Sequence, residues 1–166
     1  MPNLLLPSQI DNTYRGNRLA LVVLGLIAAL KAVMGFNMSG LNPFVSTEQV
    51  LTSVDGIPLD QFPPEAARMV VSSTQDWALL LLLVAGLSLL ALVRYRAMVP
   101  LMLLVLTAEQ VLRIGMSIAQ APDAPWIEMD VPSLLNWSMT GLLVAALALS
   151  LIPAKSRGPS RPGSKP

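Results

Sequence analysis

The stretch VPLMLLVLTAEQVLRIGMSIA, residues 99–119, decides the fold of this chain. It has the length and the apolar content of one membrane-spanning helix, which needs about 20 mostly apolar residues. Two charged residues, Glu109 and Arg113, nevertheless lie inside it. Ionisable groups are costly within a bilayer and usually have a role there. The stretch therefore predicts a membrane helix and a polar site on that helix.

Working outward, three more apolar runs accompany this one. The chain is 54% hydrophobic and only 13% charged, whereas soluble domains are about 25% charged. We therefore predict an all-α fold, an integral membrane four-helix bundle that occupies residues 1–152. The predicted spans are residues 19–36, 70–93, 99–119 and 134–152.

The charges are segregated along the chain. Eight of the ten acidic residues fall in residues 39–76 and 120–130. Eight of the eleven basic residues lie outside the predicted spans in the segments that alternate with these two: Arg15, Arg18, Arg94, Arg96, Lys155, Arg157, Arg161 and Lys165. Because cytoplasmic loops carry the excess of Lys and Arg, both termini are predicted to be cytoplasmic, with a long periplasmic loop between the first two helices. The predicted location is a bacterial inner membrane, crossed several times.

The two ends of the chain need separate interpretation. The first apolar run could be a signal peptide, but Lys31 interrupts it and three further spans favour a retained helix. Residues 153–166 are basic and rich in Pro, Gly and Ser, which predicts a disordered cytoplasmic tail. That tail either contacts anionic headgroups or, as we favour, only sets the topology.

Composition also limits the chemistry. Without cysteine or histidine, the chain has no disulfide, no thiolate metal site and no imidazole ligand for haem or zinc. The sequence shows no nucleophile–base pair and no Gly-rich phosphate loop. Acids such as Asp55 and Asp60 could hold a cation loosely, although solvated loop acids are the favoured interpretation. We predict no enzyme activity, no catalytic residue, no cofactor, no metal and no nucleic-acid partner.

The connection between the first two spans contains local helix signals. Ser46 and Gln49 have capping-box spacing, which predicts a short helix through about Ser53. The pair Asp55-Gly56 then breaks this helix. Proline and a carboxylate suit a first helical turn, so residues 63–65, Pro-Pro-Glu, predict that the next helix starts outside the bilayer. Trp77, and the pair Trp126 and Trp137, are predicted to anchor the outer interface.

Polar residues converge at one depth. From a rise of about 1.5 Å per residue, Lys31 lies about 18 Å, Glu109 about 15 Å and Arg113 about 21 Å from the cytoplasmic ends of their spans. Glu109 and Arg113 are four residues apart, the favourable order for a pair on one helix face. Lys31 is predicted to join them, and Asp76 to balance the charge. The candidate binding cluster is Lys31, Asp76, Glu109, Gln110, Arg113, Asn136 and Thr140.

This cluster has two interpretations. It is either a satisfied network that only fixes helix register, or the lining of an outward-facing pocket for a polar headgroup, an anion or a proton path. Small residues four apart, Gly25 with Ala29, Ala28 with Ala32 and Gly141 with Ala145, offer close helix packing and so support the first interpretation.

Several segments resemble a family of small, uncharacterised bacterial proteins with four membrane spans. They are LKAVMGFN at residues 30–37, DGIPLD at 55–60, VRYR at 93–96 with Val99-Pro100, and EQVLR at 109–113. The resemblance covers most of residues 15–120 and implies the same four-span fold. At the level of architecture alone, the chain is similar to DoxX-like membrane proteins.

Two function classes follow. The first is a non-enzymatic accessory or scaffold protein, in which the buried Lys/Glu/Arg network holds the bundle and the loops meet a partner. The second is a small protein that binds or transports a polar ligand, an ion or a proton through a pocket in the periplasmic half. The sequence favours the first by a small margin. Predicted partners are the lipid bilayer and other membrane proteins or further copies of the chain.

Overall fold

All regular structure in the described part of the chain is helical. The computed structural model describes residue 5 and residues 10–120 and 131–153. Within these ranges there are five α-helices and no strand: α1 Arg18–Met38, α2 Thr47–Ser53, α3 Pro64–Arg94, α4 Val99–Gln120 and α5 Val131–Ser150. Short 3-10 turns, Leu59–Gln61 and Arg96–Met98, precede α3 and α4. The all-helical prediction is confirmed for the described residues. Trp126 and the predicted tail from residue 154 lie outside them.

Three helices are long and apolar enough to cross a membrane, as judged by length and composition. They are Arg18–Met38, Pro64–Arg94 and the segment Arg96–Gln120, while the apolar part of α5, Leu134–Ser150, is shorter. The outward face of α1 supports this assignment, because Leu19, Val22, Leu26 and Val33 are each 58–67% exposed. A contiguous apolar face of this kind suits acyl chains and not water.

One end of the bundle gathers basic residues around the start of α1. The Asn17 side chain caps α1 by accepting a hydrogen bond from the Leu19 backbone N–H at 3.0 Å. The Asn17 N–H donates to the Leu149 carbonyl at 3.4 Å, and the Ala97 N–H donates to the Asp11 carbonyl at 3.2 Å. The N-terminal segment, the turn between α3 and α4, and the end of α5 therefore meet. We call this end, which carries Arg15, Arg18, Arg94 and Arg96, the basic end.

The opposite end, the loop end, consists of residues 39–63. The capping box of α2 forms as predicted, with the Gln49 N–H donating to the Ser46 hydroxyl at 3.2 Å and the Ser46 N–H donating to Gln49 Oε1 at 3.1 Å. Gly56 follows α2 with φ of +67°. Helix α3 begins at Pro64, also as predicted, and extends well beyond its apolar part.

Helix α2 is fixed to the bundle at both of its buried residues. The hydroxyl of Thr47 donates to the Met38 carbonyl at 3.1 Å and accepts from the Gln75 amide at 3.1 Å. Leu51 is 2% exposed and packs with Met38 and Ala78. The loop end is thus a packed layer over α1 and α3.

Helices α1 and α3 pack closely at Gly35. A Cβ atom there would lie 2.9 Å from the Ala78 carbonyl oxygen and 2.8 Å from Leu82 Cγ. Ala28 and Ala85 are fully buried. By contrast, Gly141 and Ala145 are exposed, so the prediction that this pair packs helices within the chain is wrong. The two residues lie on the outward face of α5.

An apolar core fills the half of the bundle nearer the basic end. Its central residues include Leu24 of α1, Leu103 and Leu106 of α4 and Leu143 of α5, each 0% exposed. Tyr14, from the segment before α1, packs against this core. Burial raises the pKa of Tyr14 to about 12. The polar side chains of interest lie on the other side of this core.

Candidate functional site

Lys31 of α1 and Glu109 of α4 form the most buried contact of the site. Lys31 is 2% exposed, and its Nζ donates to Glu109 Oε2 at 2.6 Å. It lies on the inward stripe of α1 that also contains Leu24, Ala28 and Gly35, so the helix period itself directs the ammonium into the bundle. The prediction that Lys31 joins the acid of the third span is confirmed by this contact.

Arg113 extends the contact along α4. Its Nε lies 3.6 Å from Glu109 Oε1, as the four-residue spacing predicts. Its Nη2 donates to Gln110 Oε1 at 2.7 Å and to Asn136 Oδ1 of α5 at 3.2 Å. Gln110 is fully buried and also donates to Asn136 Oδ1, at 3.4 Å. We call Lys31, Glu109, Gln110, Arg113 and Asn136 the polar cluster.

Two predicted members behave differently. The hydroxyl of Thr140 donates to the backbone carbonyl of Asn136 at 2.8 Å, so it is bonded within α5 and not to the cluster side chains. Asp76 is exposed, and no cation among the described residues lies within 4.0 Å of it. The inward face of α3 contains Ala78, Leu81 and Ala85. Asp76 precedes Ala78 by two positions, about 200° around the helix, and therefore points away. The prediction that Asp76 balances the cluster is wrong.

Trp77 contacts the cluster, which the sequence did not predict. Its ring packs at the loop end and lies over the guanidinium of Arg113, with 5.8 Å from Cζ to the ring centroid, and its role as an interface anchor stays a prediction. A cation over an aromatic face within about 6 Å is attracted by the ring quadrupole. Helices α3, α4 and α5 therefore all position Arg113.

A cavity of about 590 Å³ opens beside the cluster. Its volume is within the range of about 300–1,000 Å³ that is usual for small-molecule sites. Arg113 and Asn136 belong both to the polar cluster and to the cavity wall. The other lining residues come from α1, the loop end, α3 and α5: Met34, Asn37, Met38, Val45, Val50, Ser53, Val54, Asp55, Trp77 and Leu135.

The lining from the loop end was not predicted as part of the site. Val50, Ser53, Val54 and Asp55 reach the cavity because α2 folds back over α1 and α3. Partial burial raises the pKa of the Asp55 carboxyl above its usual value. A local signal for α1 was present, since Met34, Asn37 and Met38 follow Lys31 at helical spacing. No local sequence pattern predicts that α2 packs over the cavity.

The electrostatics of the cluster favour anions. Lys31 and Arg113 carry two positive charges against the one negative charge of Glu109, and Lys31 holds the closer carboxylate oxygen. The partners of Arg113 Nη2 are neutral amide oxygens. No group of three or more acidic residues that could hold a metal ion occurs in the described ranges. The arrangement can therefore bind and orient a negatively charged or hydrogen-bond-accepting group.

No family model matches the chain, and no curated protein or solved structure is significantly similar to it. The resemblance to small bacterial four-span proteins thus stays a prediction, and the function is inferred from the chain's own geometry.

Proposed function

We propose that this chain is a multi-pass protein of a bacterial inner membrane that binds a ligand in the cavity beside Arg113. In this proposal α1, α3, α4 and α5 are the four spans, the basic end faces the cytoplasm and the loop end faces the periplasm. Support comes from the basic end itself, where the N-terminal segment contacts the α3–α4 turn and the end of α5. All three meet where Lys and Arg concentrate.

The single observation that carries the proposal is the continuity of the cluster with the cavity. A network that served only to hold the helices would be enclosed by them, as Lys31 is at 2% exposure. Arg113 and Asn136 instead form part of a cavity wall, together with the stacked ring of Trp77. Ligand sites typically combine a mostly apolar lining with a few converging polar groups, and this cavity has that composition.

The cluster can be divided accordingly. Lys31 is the most buried member, and its contact with Glu109 fixes α1 against α4. The Arg113–Asn136 pair lies at the cavity and meets the ligand. The Lys31–Glu109 pair holds Arg113 in place, because Glu109 contacts both cations through its two oxygens. Structural and binding roles therefore belong to different members of one network.

The experiment fills the cavity without touching the cluster. Val54 lines the cavity and is 66% exposed, so a Val54→Trp substitution adds bulk there while leaving the core packing intact. We expect this variant, purified from native membranes and analysed by native mass spectrometry, to lose at least about half of the copurifying small molecules and lipids seen with the unmodified chain.

The matched control is Val22→Trp, on the lipid-facing side of α1, where Val22 is 58% exposed. This variant is expected to retain the copurifying compounds. Equal retention by the two variants, with both folded, would contradict ligand binding in the cavity.

A second candidate is the accessory or scaffold protein. It is favoured by the exposed apolar side chains of the loop end, with Phe44 89% and Leu41 58% exposed. These residues suit contact with another membrane protein. A Phe44→Ser/Leu41→Ser variant that loses its copurifying proteins but keeps the copurifying small molecules would assign partner contact to this surface, separately from the cavity.

A further inference from the structure

We propose that the ligand of this cavity is an amphiphile with an anionic carboxylate or phosphate head and one apolar chain, the head lying against Arg113. This inference rests on the ligand-binding function proposed above and adds the chemical class of the ligand.

The charge of Arg113 is the least compensated in the cluster. Glu109 Oε2 lies 2.6 Å from Lys31 Nζ, whereas the distance from Glu109 Oε1 to Arg113 Nε is 3.6 Å. The side chain of Arg113 is 34% exposed, and Arg113 is one of the residues that line the cavity. A partly buried cation whose charge is incompletely compensated attracts an anion more strongly than a fully solvated cation does.

The guanidinium also has donors to spare. An arginine has five N–H donors in a fixed fork, well matched to carboxylate and phosphate oxygens. The hydrogen bonds of Arg113 to described residues all leave from Nη2. Its Nε is buried and faces Glu109, so the donor left for a ligand is Nη1, which donates to no described residue. Because Gln110, Asn136 and Trp77 hold the plane of the guanidinium, an incoming head meets a donor group that is already oriented.

The rest of the cavity is suited to an apolar chain. Apolar side chains form most of the remaining wall: Met34, Met38, Val45, Val50, Val54, Trp77 and Leu135. Methionine side chains are flexible and adapt to irregular apolar shapes. A small inorganic anion would leave this apolar surface uncovered, so the lining favours a head attached to a chain.

Asp55 is the one carboxylate among the described residues of the wall, and it raises the alternative of a cationic ligand. Asp55 lies at the loop end and is exposed, whereas Arg113 is held by four side chains inside the bundle. Arg113, whose charge is oriented and less solvated than that of Asp55, therefore dominates the recognition of the ligand head. A cationic amphiphile is therefore the disfavoured outcome of the test.

The test uses Trp77 as the reporter. In the full-length chain in nanodiscs, the other two tryptophans are replaced by phenylalanine, and Trp77 fluorescence is quenched with dodecanoate brominated on its chain. The comparison probes are the alcohol and the trimethylammonium of the same chain length, brominated in the same way. Dodecanoate is expected to bind at least about tenfold more tightly than either, because its carboxylate gains a charge-assisted pair of hydrogen bonds with Arg113.

Free anions distinguish the source of the head. Acetate and inorganic phosphate, added as competitors, are expected to displace brominated dodecanoate only at concentrations at least about 100-fold above that of unlabelled dodecanoate. If either free anion competes as well as dodecanoate, the ligand is a free anion and the amphiphile proposal is overturned.

Variants of Arg113 assign the preference to one side chain. Arg113→Gln is expected to reduce dodecanoate binding to the level of the alcohol, whereas Arg113→Lys keeps a preference for dodecanoate. Arg96→Gln, at the basic end, is the matched control and should bind like the unmodified chain. If Arg113→Gln does not fold, Asn136→Asp serves instead, because a carboxylate beside Arg113 competes with the head and should weaken dodecanoate binding at least about tenfold.

The outcomes separate the two proposals. Equal affinity for the three brominated probes in the unmodified chain would end the inference about the anionic head and leave ligand binding in the cavity standing. If none of the probes quenches Trp77 fluorescence, the amphiphile proposal is overturned. If Val54→Trp also retains the copurifying compounds, the proposed ligand-binding function is overturned as well.

Discussion

Lys31 and Glu109 show how a single buried pair organises this bundle. The ammonium of Lys31 is 2% exposed and is 2.6 Å from one oxygen of Glu109, whose other oxygen faces Arg113. Removing one partner of a buried ion pair leaves the other charge uncompensated, which costs more than removing both partners. The stability of the folded chain should therefore depend on whether the pair is broken or deleted.

At the residue scale we predict that Lys31→Met lowers the free energy of unfolding by roughly 3 kcal/mol, near the lower limit for a broken buried pair because Arg113 still compensates Glu109. The double variant Lys31→Met/Glu109→Gln should recover at least about 1 kcal/mol of this loss. Thermal unfolding of the purified protein, calibrated by reversible denaturation, measures both values.

Arg15→Met is the control for this prediction. Arg15 pairs with Asp11 at 4.0 Å, and the two side chains are 55% and 38% exposed. An exposed pair of this kind contributes about 0–1 kcal/mol. A loss with Lys31→Met no larger than the loss with Arg15→Met would show that the buried pair does not stabilise the bundle.

Individual residues also show the limit of sequence reasoning. Depth along a helix follows from the helix rise, so the sequence predicts the shared level of Lys31, Glu109, Gln110, Arg113 and Asn136. Rotation about the helix axis was not predictable for α3. A one-position step, about 100°, separates exposed Asp76 from Trp77, which contacts Arg113. The apolar residues of α3 surround most of its circumference, so their pattern gave no preferred inward face.

At the element scale, the packing of α1 on α3 depends on one glycine. A Cβ on Gly35 would come within 2.9 Å of the Ala78 carbonyl oxygen, which is backbone and cannot move aside easily. Close approach of this kind lets membrane helices gain dispersion contacts where the hydrophobic effect between helices is absent. Since Lys31 lies one turn away on the same face, this packing also sets its position.

We predict that Gly35→Ala lowers the free energy of unfolding by roughly 1–3 kcal/mol, the usual cost of overpacking. Gly86→Ala is the matched control on α3, because a Cβ at Gly86 meets nothing within 4 Å. The control should unfold at the temperature of the unmodified chain or above it, since alanine is the better helix former. Thermal unfolding in the same detergent compares the two, and equal midpoints would contradict close packing at Gly35.

Helices whose signals are local were predicted well. The capping box of α2 and the proline start of α3 need only neighbouring residues, and both are as expected. The packing of α2 over the bundle needs contacts between distant residues, such as Thr47 with Met38 and Gln75. No short-range pattern encodes those contacts, so the loop-end wall of the cavity could not be predicted.

At the scale of the whole molecule, the proposed orientation follows from which segments share an end. The basic end brings together the N-terminal segment, the α3–α4 turn and the end of α5. Charge segregation in the sequence predicted such an end. It did not predict that the N-terminal segment is packed into it, where the Ser150 carbonyl oxygen leaves no room for a side chain at Gly16.

The chain contains no cysteine, which allows a direct test of topology. Three exposed positions suit single cysteine substitutions. Asn12 and Pro153 lie at the basic end, and Thr52 lies at the loop end. We predict that a membrane-impermeant maleimide labels Thr52→Cys in intact spheroplasts, and that Asn12→Cys and Pro153→Cys are labelled only after permeabilisation. Labelling of Pro153→Cys but not Asn12→Cys in intact spheroplasts would show that α5 does not cross the membrane as proposed.

The apolar core described above limits where a bound compound can go. Leu24, Leu103 and Leu143 each lie seven residues, about 10 Å, toward the basic end from Lys31, Gln110 and Asn136, and all three are fully enclosed. Behind this layer the ring of Tyr14 closes the bundle further. A solute that enters from the loop end therefore meets a layer of enclosed leucine side chains in the described helices. In the proposed function, a ligand that enters from the loop end therefore binds beside Arg113 and is released to the same end.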